Sequence, residues 1–189
     1  MAFTTTLKRL PLLLFIAFLV LSCGQETKTM NVEGRYSIDL PESFKKSKEL
    51  NDDASLGYED PLRELYVIVI DEPKDALESS LEINSLYDTY TNDLKGYSQL
   101  IIDGMDSSVS VKEMPPFKDT VINGLKAREV SFEGVSSGYR VYWKLAFIEG
   151  KSRYYQIMVW TEAGRRKKQE AKMAAIINSF KDTDKSKSR

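Results

Sequence analysis

Histidine is absent from this chain, and cysteine occurs once, at position 23. Without histidine, the usual general base of serine and cysteine hydrolases and the commonest zinc ligand are both missing, which excludes Ser-His-Asp and Cys-His catalysis. With one cysteine, no disulfide can form within a monomer. A transmembrane helix takes about 20 apolar residues, and the apolar stretch 10–21 is shorter, has Pro11 near its start and runs into Cys23-Gly24-Gln25-Glu26. Neither sign of charge dominates: 27 basic residues face 28 acidic ones for a net of −1. A global basic field for nucleic acid is thus lacking, and no nucleic-acid partner is expected. Only carboxylate, lysine, tyrosine or arginine chemistry, or a hard cation held by oxygens, stays open to catalysis. The expectation is therefore a non-enzymatic binding module that needs no cofactor and no metal.

What the chain does contain begins with an address. Lys8 and Arg9 form a positive n-region, 10–21 an apolar h-region, and Leu19-Val20-Leu21-Ser22-Cys23 ends in a small residue before cysteine. The pattern reads as a bacterial lipoprotein signal peptide over 1–22, so Cys23 is expected to become the mature first residue. A diacylglycerol thioether on Cys23, with palmitate-type acyl chains, would hold the chain at a bilayer. Val20 and Leu21 depart from the commoner pattern, which has Leu three residues before the cysteine and a small residue two before it. Gly24 supplies no aspartate retention signal, which points to the outer membrane in a Gram-negative host. Removing 1–22 takes Lys8 and Arg9 and no acid, leaving a net charge of −3.

The polar stretch 23–33 reads as a tether, 34–181 as one domain of about 150 residues with a single core, and 182–189 as a charged disordered tail. Within the domain, 35–40 alternates as a half-buried strand closed by Pro41. Weaker strands are expected over 44–50 and 54–59. The run 65–70 is apolar throughout and β-branched, as a strand covered on both faces would be, and Pro73 closes it. Ile83, Leu86, Tyr87, Tyr90 and Leu94 recur at helical spacing, which predicts an amphipathic helix over 79–95 stopping at Gly96. Val109 and Val111 suggest a short strand. Asn123-Gly124 is a type I′ hairpin signal joining 117–122 to 125–132. A loop at 134–138 precedes a second hairpin, 139–148 with 153–161, turning around Gly150-Lys151. The closing helix 165–180 is expected to turn Ala171, Ala174, Ile177 and Phe180 inward. Hairpins with helices in the middle and at the end describe an α+β domain, an antiparallel sheet flanked by helices.

The order of these pieces resembles the PsbP-like superfamily, which includes an extrinsic photosystem protein, a Ran-binding nuclear import factor and many envelope lipoproteins. The resemblance is carried by Tyr36-Ser37-Ile38-Asp39-Leu40-Pro41-Glu42-Ser43-Phe44, the strand 65–70, Asn123-Gly124 leading to Ala127-Arg128, and Ile176-Ile177-Asn178-Ser179-Phe180. It implies an α-β-α sandwich and docking on a partner in place of catalysis, and it carries over no functional residue.

Three kinds of site compete. A two-residue turn in the second hairpin pairs Glu149 with Ser152, Phe147 with Tyr154 and Leu145 with Gln156. That puts Val141, Trp143, Leu145, Phe147, Tyr154, Met158 and Trp160 on a core face. It puts Arg140, Tyr142, Lys144, Arg153 and Tyr155 on the other, beside Ala146, Ile148, Ile157 and Val159. Cations interleaved with aromatics suit an acidic patch of a partner protein or an anionic ligand, while side chains lying along a covered sheet are the structural alternative. Arg165-Arg166-Lys167-Lys168 stands at the start of the closing helix, where the macrodipole disfavours cations, and could rest on anionic lipid headgroups. The alternative there is a solvated face with an Arg166–Glu170 pair. Asn51-Asp52-Asp53 and Asp103-Gly104-Met105-Asp106 are oxygen-rich turns without the ligand spacing of a calcium loop. Tyr87, Tyr90, Tyr97, Trp143 and Trp160 fall on core periods. The leading expectation is a lipid-anchored envelope protein that docks on a protein partner, and the alternative is a small ligand held in a cleft between sheet and helix.

Overall fold

The computed structural model describes residues 26–105 and 109–185. In chain order the strands are β1 (Thr27–Val32), β2 (Tyr36–Pro41), β3 (Lys45–Lys46), β4 (Leu56–Asp60), β5 (Leu65–Pro73), β6 (Lys118–Ile122), β7 (Leu125–Ser136), β8 (Tyr139–Glu149), β9 (Arg153–Glu162) and β10 (Lys181–Asp182). The helices are α1 (Lys74–Ile83), α2 (Leu94–Met105) and α3 (Arg166–Asn178), with a 3-10 turn over Ala163–Arg165. Seven strands make an antiparallel sheet in the order β3-β4-β5-β9-β8-β7-β6, and β1-β2-β10 make a small second sheet. This is the expected α+β class, an antiparallel sheet flanked by helices.

The large sheet buries both faces because its strands are apolar on both parities. On one face Val67, Val69, Tyr142, Ile148, Tyr155 and Ile157 pack against Met173, Ile176 and Ile177 of α3 and against Tyr36, Ile38, Leu40 and Phe180. On the other, Leu145, Phe147 and Tyr154 meet Leu77 and Leu81 of α1 and Leu94, Tyr97 and Ile102 of α2. Asn123 and Gly124 take φ of 48° and 85°, the positive values that a type I′ turn requires.

Several expectations change. The stretch 23–33 is not all tether: Thr27–Val32 pairs with β2, Val32 opposite Tyr36. The tail begins later than position 182, since Lys181–Asp182 pairs with Ser37 and Tyr36 and the Thr183 N–H donates to the Arg35 carbonyl. Both segments are polar because they lie at a sheet edge, where the backbone supplies the bonding and side chains face water. The helix over 79–95 is instead two helices. Ser85 has φ of 55°, and the Asn84 amide bonds back to the Ser80 carbonyl, the local competition that ends helices at such residues. A new helix starts after Asp93, whose Oδ1 accepts from the Gly96 N–H at 2.9 Å as an N-cap. Gly96 therefore lies in the first turn of α2 and does not end a helix. A Cβ there would stand 1.8 Å from the Thr91 carbonyl oxygen, so only glycine fits. Asp103 and Gly104 belong to α2 and form no turn. Of 44–50 only Lys45–Lys46 is strand, and Val109 to Val111 contributes a single bridge, Ser110 with Val135. The loop at 134–138 is mostly strand, with Ser137-Gly138 as its turn. In α3 the buried residues are Gln169, Met173, Ile176 and Ile177, while Ala171 is exposed.

Candidate functional site

The second hairpin closes with Glu149 opposite Tyr154, Phe147 opposite Gln156 and Leu145 opposite Met158. Four residues, 150–153, separate this last pair, which shifts the pairing by two residues from the expected register. An even shift preserves faces. Arg140, Tyr142, Lys144, Arg153 and Tyr155 do share one side of the sheet, but its two tyrosines are interior. Tyr142 is 1% exposed and Tyr155 fully buried. The Tyr155 hydroxyl donates to the Arg35 carbonyl at 3.1 Å, and its ring meets Tyr36 and Phe180. The Tyr142 hydroxyl donates to Glu170 at 2.8 Å beneath the Arg166 guanidinium. Arg153 donates to Asp71 at 2.6 Å and Arg140 to Glu133 at 3.1 Å. The five residues form no continuous open docking face: α3 and the small sheet, built from the two ends of the described chain, cover Tyr142 and Tyr155, while Arg140 stays exposed at the edge.

Arg165 and Arg166 are likewise engaged. Arg165 pairs with Glu64 at 2.6 Å, and Arg166 reaches Glu133 at 3.4 Å and Glu170 at 3.5 Å, the anticipated i,i+4 pair. Lys167 and Lys168 are exposed. Cys23 and its signal segment lie outside the described residues. Among the described residues no helix is long and apolar enough to cross a membrane, and no group of three His, Cys, Asp or Glu side chains could hold a metal ion.

The open feature lies on the opposite face of the large sheet. Side chains alternate along β5, β9 and β8 so that Ile68, Ile70, Gln156, Met158, Trp160, Val141 and Trp143 form a floor. Leu100, Ile101 and Met105 of α2 make one wall, and Leu50, Asn51, Ser136 and Tyr139 stand at the edges of a cleft of about 650 Å³. It exists because two short helices cover the Phe147 and Tyr154 end of this face and leave the Trp160 end partly bare. Trp160 stacks on Tyr66 at 5.4 Å and Trp143 on Phe132 at 5.4 Å, which fixes both indoles. Gln156 is 4% exposed and is held in place by bonds to the Tyr97 hydroxyl at 2.8 Å and Glu72 at 3.2 Å. The Tyr97 hydroxyl donates to Glu72 at 2.6 Å, and burial, reinforced by the Glu72 charge, pushes its pKa well up. At the closed end, burial pushes Tyr154 up to about 12.

Sequence reasoning put Trp143, Trp160 and Met158 on the correct face but treated that face as filled. The available signal was quantitative: a long apolar face set against short helical segments. Of the aromatic set, Tyr97 and Trp143 are buried, Trp160 and Tyr90 are half-buried and Tyr87 is 50% exposed.

No family model and no curated protein matches the chain. Among solved structures, the cyanobacterial PsbP (CyanoP) of Synechocystis is similar at a TM-score of 0.55 and 8% identity, with 84% of this chain and 93% of that chain covered. That likeness establishes a PsbP-like fold and nothing about activity. LpqN of Mycobacterium tuberculosis, described as involved in cell envelope biogenesis, aligns at a TM-score of 0.46 and 11% identity over 84% of this chain and 91% of its own. The Ran-binding protein Mog1p of Saccharomyces cerevisiae aligns at 0.45 and 12% identity over 85% and 97%. At those scores the latter two carry no argument.

Proposed function

Since the domain has a PsbP-like fold with one face partly bare, we propose that it is a non-catalytic binding module, held at the cell envelope by a lipid on Cys23, that takes an apolar or amphiphilic small molecule in its cleft. The observation that carries this reading is the cleft of about 650 Å³ between α2 and the sheet, floored by two fixed indoles and aliphatic side chains. Its size falls in the range of small-molecule sites, roughly 300–1,000 Å³. Its chemistry is asymmetric. Ile68, Ile70, Ile101, Met158 and Trp160 favour an apolar body, whereas Asn51, Ser136 and Tyr139 at the edges suit a polar head. Outer-membrane placement in a Gram-negative host belongs to the same proposal and rests on Gly24 following Cys23. Docking of a protein partner on the Arg140, Tyr142, Lys144, Arg153 and Tyr155 face forms no part of it, because Tyr142 and Tyr155 are interior.

The test uses cis-parinaric acid, a fluorescent acyl chain. The chain's two tryptophans, Trp143 and Trp160, both line the cleft, so energy transfer from them reports occupancy. Saturable binding of one probe per chain supports the proposal. A signal that rises linearly without saturation, or that persists unchanged when the cleft wall is altered, overturns it.

A further inference from the structure

Glu26, the first described residue and the point from which the chain continues toward Cys23, lies at one particular end of the fold. Three peptide steps separate Cys23 from Glu26, a reach of about 10 Å at full extension. The Glu26 carbonyl accepts from the Glu42 N–H at 3.0 Å, which pins the exit beside the β2–β3 connection. Next along that connection, the Ser43 hydroxyl donates to Asp60 at 2.7 Å, and the same Asp60 oxygen accepts from Arg63 at 2.7 Å. The exit toward Cys23 and the β4–β5 turn are therefore neighbours.

That turn presents Leu62 at 88% exposure. A lone exposed leucine is ordinary on a protein surface, and here its surroundings give it meaning. Gln169 of α3 donates to the Arg63 carbonyl at 3.2 Å, so α3 lies alongside the turn and brings Lys168 and Lys172, one helical turn apart, to the same end. Asp60 and Glu64, the turn's carboxylates, are matched by Arg63 at 2.7 Å and Arg165 at 2.6 Å. Burial, and after it the nearby Arg63 charge, pull the Lys172 pKa down; Asp60 partly opposes this and Lys168 adds to it. Glu26 and Glu42 beside the exit temper the field, which leaves Leu62 a share in fixing the contact.

We propose that the β4–β5 turn end of the domain is its bilayer-facing side, with Leu62 seated at the headgroup boundary and Lys168 and Lys172 against anionic lipid phosphates. The occupant is the membrane that the lipid on Cys23 enters, and the proposal rests on that anchoring. Attachment comes from the lipid, and the turn sets orientation, since a chain anchored within about 10 Å of this end holds it against the headgroups. The sheet register puts Leu65 opposite Thr161 and Val141 opposite Glu162, so the Tyr139 edge of the cleft points to the same end.

Lysine acetylation followed by mass spectrometry tests this on the mature chain, with the Cys23 thiol coupled to a maleimide lipid in vesicles of phosphatidylcholine and phosphatidylglycerol. Coupling imposes the anchor, so failure here indicts the face, whereas failure of lipidation in cells is read separately from the mass of Cys23. The expected result is about threefold slower labelling of Lys168 and Lys172 than in the free chain, with Lys126 and Lys151 at the other end of the sheet unchanged. The variant Leu62→Glu with Lys168→Glu, both at exposed positions, should return Lys172 to its free rate. Equal labelling of Lys172 in anchored and free chains, or protection of Lys126 and Lys151 in its place, overturns the proposal.

Discussion

Asp71 accepts from the Nε of Arg153 at 2.6 Å and from Arg35 at 2.8 Å, and its side chain is 1% exposed. Arg153 belongs to the large sheet and Arg35 to the turn before β2, so this one carboxylate ties the small sheet to the large one. Burial raises the Asp71 pKa, but hydrogen bonds from Ser55, Arg35 and Arg153 together with the Arg35 charge outweigh it and hold the group below the usual carboxylate range.

The first prediction concerns acid stability. A carboxylate whose folded pKa is depressed contributes stability that is complete above its unfolded pKa, about 3.9, and is lost as pH falls through the folded value. At pH 7, Asp71→Asn should therefore lower unfolding stability by about 3 kcal/mol, the order expected when one partner of a buried ion pair is removed. The difference between wild type and variant should narrow below about pH 4. Urea unfolding followed across pH checks this. Comparison with the variant isolates Asp71 from Asp60, Asp93 and Glu170, whose pKa values are also lowered. A gap that stays constant down to pH 2.5 would count against the linkage.

The second concerns the cleft wall. Asp93 caps α2 through the Gly96 N–H, and Gly96 is pressed against the Thr91 carbonyl. Asp93→Ala should cost about 1 kcal/mol as a lost N-cap. Gly96→Ala should cost more, about 1–3 kcal/mol, because backbone must move to admit the methyl group. Thermal unfolding ranks them, and equal midpoints for Gly96→Ala and wild type would contradict the close approach.

These two sites show how far the sequence could be read. The class of fold, the Asn123-Gly124 hairpin, the all-apolar strand and the face parity of the second hairpin were legible, because each rests on a local period or a local φ requirement. What failed depended on distant partners. Tyr142 and Tyr155 look like a docking face only until β1, β2, β10 and α3 close over them, and nothing within 139–162 encodes that cover. The apolar spacing from Ile83 to Leu94 was real, but Asn84, Ser85 and Asp93 carried the opposing signal of a stop and a new start. A cleft between sheet and helix stood as the alternative reading, but its place and lining were not legible for a related reason: periodicity says which residues point inward, and only the lengths and placement of α1 and α2 say how much of that face they cover.

The third prediction separates the buried face from the cleft. Tyr142→Phe removes the hydroxyl that donates to Glu170 while keeping the ring under Arg166. The expected loss is about 1 kcal/mol, that of one hydrogen bond to a charged group on the half-open side of α3. Binding of cis-parinaric acid should stay as in wild type. A change in probe affinity without a change in stability would show that this face communicates with ligand after all.

The fourth asks whether Cys23 supplies the anchor. Cys23→Ala should move the protein from the membrane fraction to the soluble fraction after a salt wash, since it removes the thiol that would carry the lipid. Variant protein that still sediments with membranes would overturn the lipid reading.

The last prediction bears on the ligand. Ile101 lies on the α2 wall of the cleft and is half-buried, so a carboxylate placed there can reach water when the cleft is empty and the helix need not unfold. An apolar probe entering beside it would have to strip that water, a desolvation cost of several kcal/mol for an ion without a partner. Ile101→Glu should therefore weaken cis-parinaric acid binding at least tenfold, which corresponds to about 1.4 kcal/mol. Unfolding stability is expected to fall far less than for Gly96→Ala. Ile101→Leu, which keeps volume and apolarity, should restore the affinity. If Ile101→Glu binds the probe like wild type while remaining folded, the probe sits elsewhere and the cleft is not the binding site.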